Sequence, residues 1–271
     1  MAGASERKLA FVTGASRGIG KACAVELARA GFDVAITART VNETPEKPGS
    51  LAATRAAIEA EGARALAVPA DLLDPASLGV AVTRVLDAFG RIDVIVQNGR
   101  YVGPGHRALF LDTPIDLLRK QMEANVWAAL TICQLALPAM IAAGGGTIVN
   151  ITSAAGYMDP VRAAGPAAEG GGIGMGYALS KGAFQRIAGF LKVELADKGI
   201  LSFGVQPGYT ITEERAAAGI STAPGGGKAA PMEVTAKVVR WLCTEPEAAE
   251  FNGKHFEAQD FCRERGLLPG W

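Results

Sequence analysis

The sequence predicts an α/β protein built on one doubly wound parallel sheet, and three observations support this fold class. Apolar runs alternate with amphipathic stretches along the whole chain, as strands and helices do in such a sheet. The first apolar run, 9–12, leads into TGASRGIG at 13–20 and then into a helical pattern at 21–30. The length of 271 residues suits one domain, so we expect residues 1–271 to form a single unit.

The remaining runs complete a Rossmann-type sheet of about seven strands with helices on both faces. Strands are predicted at 9–12, 34–38, 65–69, 94–97, 147–151, 201–206 and 255–258. Helices are predicted at 21–30, 50–60 and 76–89, as a pair within 116–143, and at 177–196 and 232–244.

Composition argues against several classes of function. Lysine plus arginine and aspartate plus glutamate both total 27, so the formal net charge is +0 and nothing marks a nucleic-acid or anionic-membrane partner. A small-molecule partner is the better hypothesis. The two histidines and four widely spaced cysteines form no metal-ligand pattern, so we expect no metal site and no Ser/His/Asp triad. The cysteine spacing also indicates reduced thiols in an intracellular protein.

The N-terminal segment enters a strand instead of a long apolar stretch, so no signal peptide is predicted and a cytoplasmic location is expected. The most membrane-like segment is 126–143. It contains Gln134 and Pro138 and directly follows Asn125, which favours a helix buried against the sheet or a partner subunit.

The glycines of TGASRGIG have separate tasks at the start of a helix. Gly14 can take the tight turn, Gly18 leaves room for a phosphate to approach the backbone, and Gly20 lets the helix pack closely on its strand. A strand, a glycine turn and a helix in this order form the crevice in which the pyrophosphate of a dinucleotide lies against backbone N–H groups. The alternative is an ordinary glycine turn without a ligand.

The end of the second strand bears on which dinucleotide is bound. An acidic side chain there would bind the ribose 2′-hydroxyl of NAD, but the chain has Arg39, with Arg17 nearby in the glycine turn. Two guanidinium groups suit the 2′-phosphate of NADP, so the sequence predicts NADP(H) in preference to NAD(H). Solvent-exposed charges are the alternative. Asp71, just past the third strand, either contacts the ligand or caps a helix, for which Asp74 before Pro75 is better suited.

Four polar residues suggest proton-transfer chemistry. Tyr177 and Lys181 in YALSK are four apart at the start of a helical pattern, so they share one face. A tyrosine with a reference pKa of about 10 is a slow acid or base at neutral pH, and a nearby ammonium favours its phenolate. Ser153 ends a strand where a hydroxyl can bond a substrate oxygen, and Asn125 lies between two helical runs, where it can hold a kink and a water. Tyr157 is the alternative candidate for the catalytic tyrosine because it is closer to Ser153. The residue four positions after Tyr157 is Val161, whereas the residue four positions after Tyr177 is Lys181.

These motifs, in this order, resemble the classical short-chain dehydrogenase/reductase family across nearly the whole chain. The resemblance implies transfer of a hydride between a nicotinamide and a carbonyl or secondary alcohol. It implies that Tyr177 is the general acid or base, and that Lys181 lowers its pKa and binds the nicotinamide ribose. Ser153 would orient the substrate oxygen and Asn125 would support a proton relay. The matching residues are TGASRGIG at 13–20, Asp71, Asn125, IVNITS at 148–153, YALSK at 177–181, Pro207, Gly208 and Thr212.

The resemblance also implies an assembly and a set of cofactor contacts. Members are commonly dimeric or tetrameric through two long helices, here 126–143 and 177–196, so a homodimer or homotetramer is expected. The residues implied to bind the cofactor are Gly14, Ser16, Arg17, Gly18, Ile19, Gly20, Arg39, Thr40, Asp71, Leu72, Asn98, Gly99, Tyr177, Lys181, Pro207, Gly208, Thr210 and Thr212.

The chain departs from the family pattern after the fourth strand, where QNGR at 97–100 stands in place of the usual NNAG. Gln97 is one methylene longer than the usual asparagine, so the usual hydrogen bonds to neighbouring strands are not assured. Arg100 replaces a glycine beside the cofactor. Its guanidinium either meets a substrate carboxylate or phosphate or turns to solvent.

Three segments are expected to border the site. The extra length at 162–176 forms either a lid that orders on substrate binding or a surface insertion. The loop 212–231 falls where the family keeps its substrate-binding loop. The tail 261–271 either packs on a neighbouring subunit or covers the pocket.

The sequence therefore predicts an NADP-dependent carbonyl reductase or alcohol dehydrogenase, with the substrate and the physiological direction left open. A dehydratase or epimerase built on an extended version of the fold is disfavoured because the chain is short and lacks an added substrate domain. The alternative from another class is a dinucleotide-binding regulatory protein without turnover, which the altered segment 97–100 keeps open.

Overall fold

Seven parallel strands form the central sheet of the protein. The structure is a computed structural model and describes residues 7–44, 48–104, 110–158, 174–217, 219, 221–222 and 229–271. The strands are β1 Leu9–Thr13, β2 Asp33–Ala38, β3 Ala65–Pro69, β4 Val94–Gln97, β5 Gly146–Ile151, β6 Ile200–Gln206, β7 Thr210–Ile211, β8 Ala230–Pro231 and β9 His255–Glu257. The sheet order is β3-β2-β1-β4-β5-β6-β9, and β7 and β8 pair separately. All seven strands predicted for the sheet are confirmed within one residue at each end.

Helices connect the strands and cover both faces of the sheet. They are α1 Gly18–Arg29, α2 Leu51–Ala60, α3 Pro75–Phe89, α4 Ile115–Met122, α5 Ala128–Ala142, α6 Met175–Leu195, α7 Glu213–Ala217, α8 Met232–Thr244 and α9 Ala258–Glu264. The predicted helices are confirmed, including the pair that forms α4 and α5. The sequence did not predict α7, α9 or the β7–β8 pair, because each is too short to show a periodic pattern.

The side chains of β1 alternate between two apolar cores, one on each face of the sheet. Ala10 and Val12 pack into a core shared with α1 and α8. Leu9 and Phe11 pack into a second core shared with α3 and α5. Because both faces of the sheet are covered, the strands read as continuous apolar runs, as parallel sheets require.

The strand order reverses between β1 and β4. From β1 the chain runs outward through β2 and β3, then crosses back to β4 and runs outward the other way. Open α/β sheets bind their ligands at such a switch point, outside the carboxyl ends of the strands. The residues that follow β1 and β4 therefore line the expected binding crevice.

The apolar stretch 115–142 is long and apolar enough to cross a membrane by composition, with a mean hydropathy of 1.5 over its most apolar window. Half of that window is buried inside the protein. Ile132, Ala136 and Met140 of α5 pack against the sheet with almost no exposed surface. The stretch is thus a core helix pair in this fold, as its polar residues predicted.

Candidate functional site

The glycine turn between β1 and α1 has a geometry that other residues would disturb. Gly14 and Gly18 have φ values of +64° and +60°, in the left-handed region that favours glycine. A β-carbon on Gly14 would lie 2.7 Å from Cα of Gly99, and one on Gly20 would lie 2.5 Å from the carbonyl oxygen of Gly14. The turn therefore brings α1 close to the ends of both β1 and β4.

Thr13 and Asn98 tie this turn to the end of β4. The side-chain amide of Asn98 donates hydrogen bonds to the carbonyl oxygens of Thr13 and Gly14, both at 3.0 Å. The hydroxyl oxygen of Thr13 accepts from the N–H groups of Asn98 and Gly99, both at 3.0 Å. Asn98 thus fixes the glycine turn to the end of β4, a contact that the sequence alone did not reveal.

A carboxylate lies at the N-terminus of α1. The backbone N–H of Gly18 donates a hydrogen bond to Oε2 of Glu213 at 2.8 Å. Thr212 lies beside it, since its Cγ2 atom would be 3.5 Å from a β-carbon on Gly18. A helix N-terminus attracts anions, so Glu213 takes a place suited to a phosphate group. Glu213 was not among the residues predicted from the sequence, although it directly follows Thr212, which was.

The ends of β2 and β3 border a small cavity of about 20 Å³, lined in part by Arg39, Asp71, Leu72 and Arg100. Asp71 accepts a hydrogen bond from the N–H of Leu73 and does not cap α3. That cap is Asp74, as the sequence predicted, with Pro75 in the first position of the helix. Asp71 thus lines this cavity at the carboxyl edge of the sheet, and its contact with a ligand stays a prediction.

Arg17 and Arg39 both lie near the end of β2. The guanidinium of Arg17 donates to Oγ1 of Thr40 at 3.4 Å and to the carbonyl oxygen of Gly49 at 3.2 Å. Arg39 is exposed and donates to the carbonyl oxygen of Val102 at 2.9 Å. Neither guanidinium forms an ion pair within the part of the chain that the structure describes, so both charges are available to an anion.

Tyr177 and Lys181 lie one turn apart on α6, against the end of β5. The ammonium of Lys181 lies 5.9 Å from the centre of the Tyr177 ring and donates to the carbonyl oxygen of Ile151 at 2.7 Å. Burial, and secondarily the charge of Arg100, lower the pKa of Lys181 to about 7. The structure therefore places a buried basic group beside the predicted proton donor.

Ser153 lies two residues after the end of β5 and contacts α6, the helix that carries Tyr177 and Lys181. Gln185, one turn after Lys181, donates a hydrogen bond to the carbonyl oxygen of Ser153 at 2.8 Å. The hydroxyl of Ser153 accepts from the N–H of Ala155 at 3.3 Å. Ser153 is partly exposed, so its hydroxyl can also reach a ligand in the crevice.

Asn125 lies in a π-helical turn, Glu123–Trp127, between α4 and α5. Such turns are frequent at functional sites, and this one lies between the two helical runs that the sequence predicted. The side chain is buried, accepts from the N–H of Tyr101 at 2.6 Å and donates to the hydroxyl of Ser180 at 2.8 Å. Asn125 thus links the segment after β4 to the helix that carries Tyr177.

The segment 97–100 has a structure of its own. The side chain of Gln97 is buried and donates to the carbonyl oxygen of Ala129 on α5 at 2.8 Å, so the extra methylene reaches a helix. Arg100 is exposed, and its guanidinium carbon lies 5.8 Å from the centre of the Tyr177 ring.

Tyr157 has a different environment from Tyr177. Its hydroxyl donates to a carboxylate oxygen of Glu257, which also accepts from Gln206 at 2.7 Å. Burial and the bond to Glu257 raise the pKa of Tyr157. A raised pKa disfavours the phenolate, so the structure adds a reason to prefer Tyr177.

The C-terminal tail packs on its own protomer. Phe261 contacts Trp241 of α8 edge to face, with ring centres 5.0 Å apart. Leu268 and Trp271 pack, partly buried, against the core shared by α1 and α8. This packing depends on helix α9, which the sequence did not predict, and the two alternatives for 261–271, contact with a neighbouring subunit or cover over the pocket, stay predictions.

Two predicted features lie partly outside the described residues. Of the extra length 162–176, only residues 174–176 are described, so the lid hypothesis stays a prediction. The loop 212–231 is described except at 218, 220 and 223–228. Its described part includes α7, which holds Glu213 against the glycine turn.

The reversal of strand order, the glycine turn and the helix that begins at Gly18 define a Rossmann-type α/β protein of the kind that binds dinucleotides. The order of the site residues along the chain, from the glycine turn to Ser153, Tyr177 and Lys181, narrows this class of protein further. The chain belongs to the short-chain dehydrogenase family of oxidoreductases, whose model matches residues 8–220.

Individual relatives agree with this family. The chain is 33% identical to an L-rhamnose 1-dehydrogenase (NAD(P)(+)) of Sphingomonas over 77% of its own length and 74% of the relative's. It is 31% identical to a 3-oxoacyl-[acyl-carrier-protein] reductase of Synechocystis over 92% and 94% of the two lengths. Among solved structures, acetoin dehydrogenase from Salmonella typhimurium matches with a TM-score of 0.76, 27% identity and 98% of each chain covered. Relatives with several substrates thus share this fold.

Proposed function

We propose that the protein transfers a hydride between NADP(H) and a carbonyl or secondary alcohol of a small molecule. The observation that carries the proposal is that Tyr177, buried Lys181 and Ser153 lie together at the end of β5. The neighbouring strand β4 is directly followed by Asn98, which bonds the glycine turn. When bound, the nicotinamide would supply or accept the hydride. The protein's part is to bind the two reactants, orient them and move one proton.

In this proposal Tyr177 gives a proton to the carbonyl oxygen in reduction and removes it from the alcohol in oxidation. The ammonium of Lys181 favours the tyrosinate by its charge and bonds the ribose of the cofactor. Ser153 donates a hydrogen bond that orients the substrate oxygen. Asn125 is a positioning residue, since its hydrogen bonds hold the segment after β4 against α6.

The preference for NADP(H) over NAD(H) is supported by the charges at the end of β2. Arg17 and Arg39 are available to an anion, and Thr40 adds a hydroxyl next to Arg17. No acidic residue directly follows β2, where one would repel a 2′-phosphate. The remaining contacts to the cofactor are proposed for the other residues that the family resemblance implied, from Gly14 to Thr212.

We further propose a homodimer or homotetramer in the cytoplasm, without a membrane or nucleic-acid partner. Large apolar side chains on α6 and near α5 support the assembly: Trp127, Leu135, Phe190 and Val193 are 51%, 43%, 56% and 81% exposed. The four cysteines carry free thiols, which suits a reducing compartment. The balanced charge of the chain gives no electrostatic support for nucleic acid.

The test is a fluorescence titration of the purified protein with NADPH and NADH in parallel, followed by a panel of ketones and aldehydes added to the NADPH complex. We expect tighter binding of NADPH and its consumption with at least one member of the panel. Binding without any turnover would favour the regulatory protein. If neither nucleotide binds, the glycine turn is not a dinucleotide site and the proposal is wrong.

A further inference from the structure

Arg100 offers a guanidinium group to the proposed substrate site. Its side chain is exposed, and its guanidinium carbon lies 5.8 Å from the centre of the Tyr177 ring. It donates one hydrogen bond, to the carbonyl oxygen of Tyr101 at 3.2 Å. A guanidinium has five N–H donors, so most of them face no partner within the described residues.

A second cation, Lys181, lies near this guanidinium. Lys181 lies 5.9 Å from the same ring centre, and Arg100 contributes to the lowering of its pKa. Asp71 lines the same small cavity as Arg100, but the two form no ion pair within 4.0 Å and Asp71 binds the N–H of Leu73 instead. Across the residues that the structure describes, no carboxylate forms an ion pair with Arg100.

We propose that Arg100 binds an anionic group of the substrate, so that the protein acts on oxo acids and the matching hydroxy acids. This inference rests on the proposed function, because it needs the substrate carbonyl to bond the Tyr177 hydroxyl. With the carbonyl held there, a carboxylate close to the carbonyl would face the guanidinium, whose carbon lies 5.8 Å from the centre of the Tyr177 ring. The planar fork of arginine binds a carboxylate through two parallel hydrogen bonds.

The chemistry of the step stays that of the proposed function. The hydride adds to the carbonyl carbon, the Tyr177 proton goes to the carbonyl oxygen, and the carboxylate is unchanged. Arg100 therefore binds and orients the substrate. Its loss lowers kcat/KM for the acid and leaves kcat/KM for a neutral analogue nearly unchanged. Hydrogen bonds to charged groups predict an effect of about tenfold to a hundredfold.

The experiment compares pyruvate, acetoacetate and levulinate with their methyl esters at saturating NADPH. These acids place the carboxylate at increasing distance from the carbonyl. We expect the wild type to prefer at least one acid to its ester. Arg100→Gln should lower kcat/KM for that acid by about tenfold to a hundredfold, mainly through KM, and leave the ester within about twofold. Arg100→Lys should keep part of the preference for the acid. Arg55→Gln, which changes an exposed side chain on α2, should keep all of it.

Two results would overturn the inference. One is an acid-to-ester ratio that is the same in the wild type and Arg100→Gln. The other is a wild type that prefers none of the acids to its ester. Weaker NADPH binding in Arg100→Gln together with an unchanged ratio would place the guanidinium in the cofactor site. Equilibrium binding of each acid and ester to the NADP+ complex separates this inference from the proposed function. Tighter binding of the acid through Arg100, without turnover of any carbonyl, would support the former and contradict the latter.

Discussion

The carboxylate of Glu213 accepts a hydrogen bond from the backbone N–H of Gly18 at 2.8 Å, although the two residues are 195 positions apart in the chain. Gly18 is the first residue of α1, where the partial positive charge of a helix is concentrated. A dinucleotide pyrophosphate bound at this turn would compete with Glu213 for the same N–H group. Cofactor binding would then require the side chain of Glu213 to move away.

We predict that Glu213→Gln binds NADPH about tenfold more tightly than the wild type, because a competing charge-assisted hydrogen bond is lost. Fluorescence titration measures the Kd of each protein. Glu264→Gln, which removes an exposed carboxylate from α9, is the control and should keep the wild-type Kd. Weaker binding by Glu213→Gln would show that Glu213 helps to hold the cofactor.

Tyr177→Phe should fold and bind NADPH like the wild type but lose about a hundredfold to ten-thousandfold in kcat, since only the transferable proton is removed. Turnover of the best ketone of the panel is the measurement. Tyr157→Phe is the matched control, because Tyr157 also follows β5 in the chain and its hydroxyl bonds Glu257. Turnover retained by Tyr177→Phe and lost by Tyr157→Phe would reverse the assignment of the two tyrosines.

We predict that the stability of the ligand-free protein depends on pH because Lys181 is buried. Its pKa is lowered from 10.5 to about 7 in the folded state, so the unfolded chain binds more protons between these values. The free energy of unfolding therefore gains a contribution that rises with pH across this window, and the cost of burying the charge is largest below about pH 7.

We expect Lys181→Met to be more stable than the wild type near neutral pH, with a difference that shrinks as the pH approaches the ordinary lysine value. Urea unfolding at several pH values within the window measures this difference. Lys198→Met, at an exposed position after α6, should show a difference that does not vary with pH. A pH-independent difference for Lys181→Met would mean that Lys181 is not held with a lowered pKa.

Arg39→Asp should raise the Kd for NADPH by about tenfold or more and leave the Kd for NADH nearly unchanged, because an acidic group at the end of β2 repels a 2′-phosphate. Parallel titrations of the two nucleotides give the ratio. Arg55→Asp makes the same charge change at an exposed position of α2 and should keep the wild-type ratio of the two Kd values. Equal weakening of both nucleotides in Arg39→Asp would argue against a phosphate contact.

Val193→Asp should reduce the assembly to smaller species, because Val193 is 81% exposed on α6 within the apolar surface proposed as the subunit interface. Light scattering after size-exclusion chromatography gives the mass. Val80→Asp, at a 55% exposed position on α3, is the control and should leave the mass unchanged. A wild-type protein with the mass of one protomer would contradict the proposed assembly.

The sequence by itself determined the strands, the long helices and the glycine turn. Each strand is an apolar run bounded by polar or turn residues, and burial of both sheet faces makes such runs continuous. The motif around Gly14 and Gly18 was legible because positive φ angles favour glycine. The site residues Tyr177, Lys181 and Ser153 followed from their motifs and from the family resemblance.

Only the tertiary structure decided which distant groups meet. The bond from Gly18 to Glu213, the position of Arg100 over Tyr177 and the contact of Gln97 with α5 join segments that no local pattern relates. The packing of the tail onto α8 likewise depends on the short helix α9. Local patterns report which face of an element is apolar. Long-range polar contacts depend instead on how loops of particular length bring the ends of different strands together.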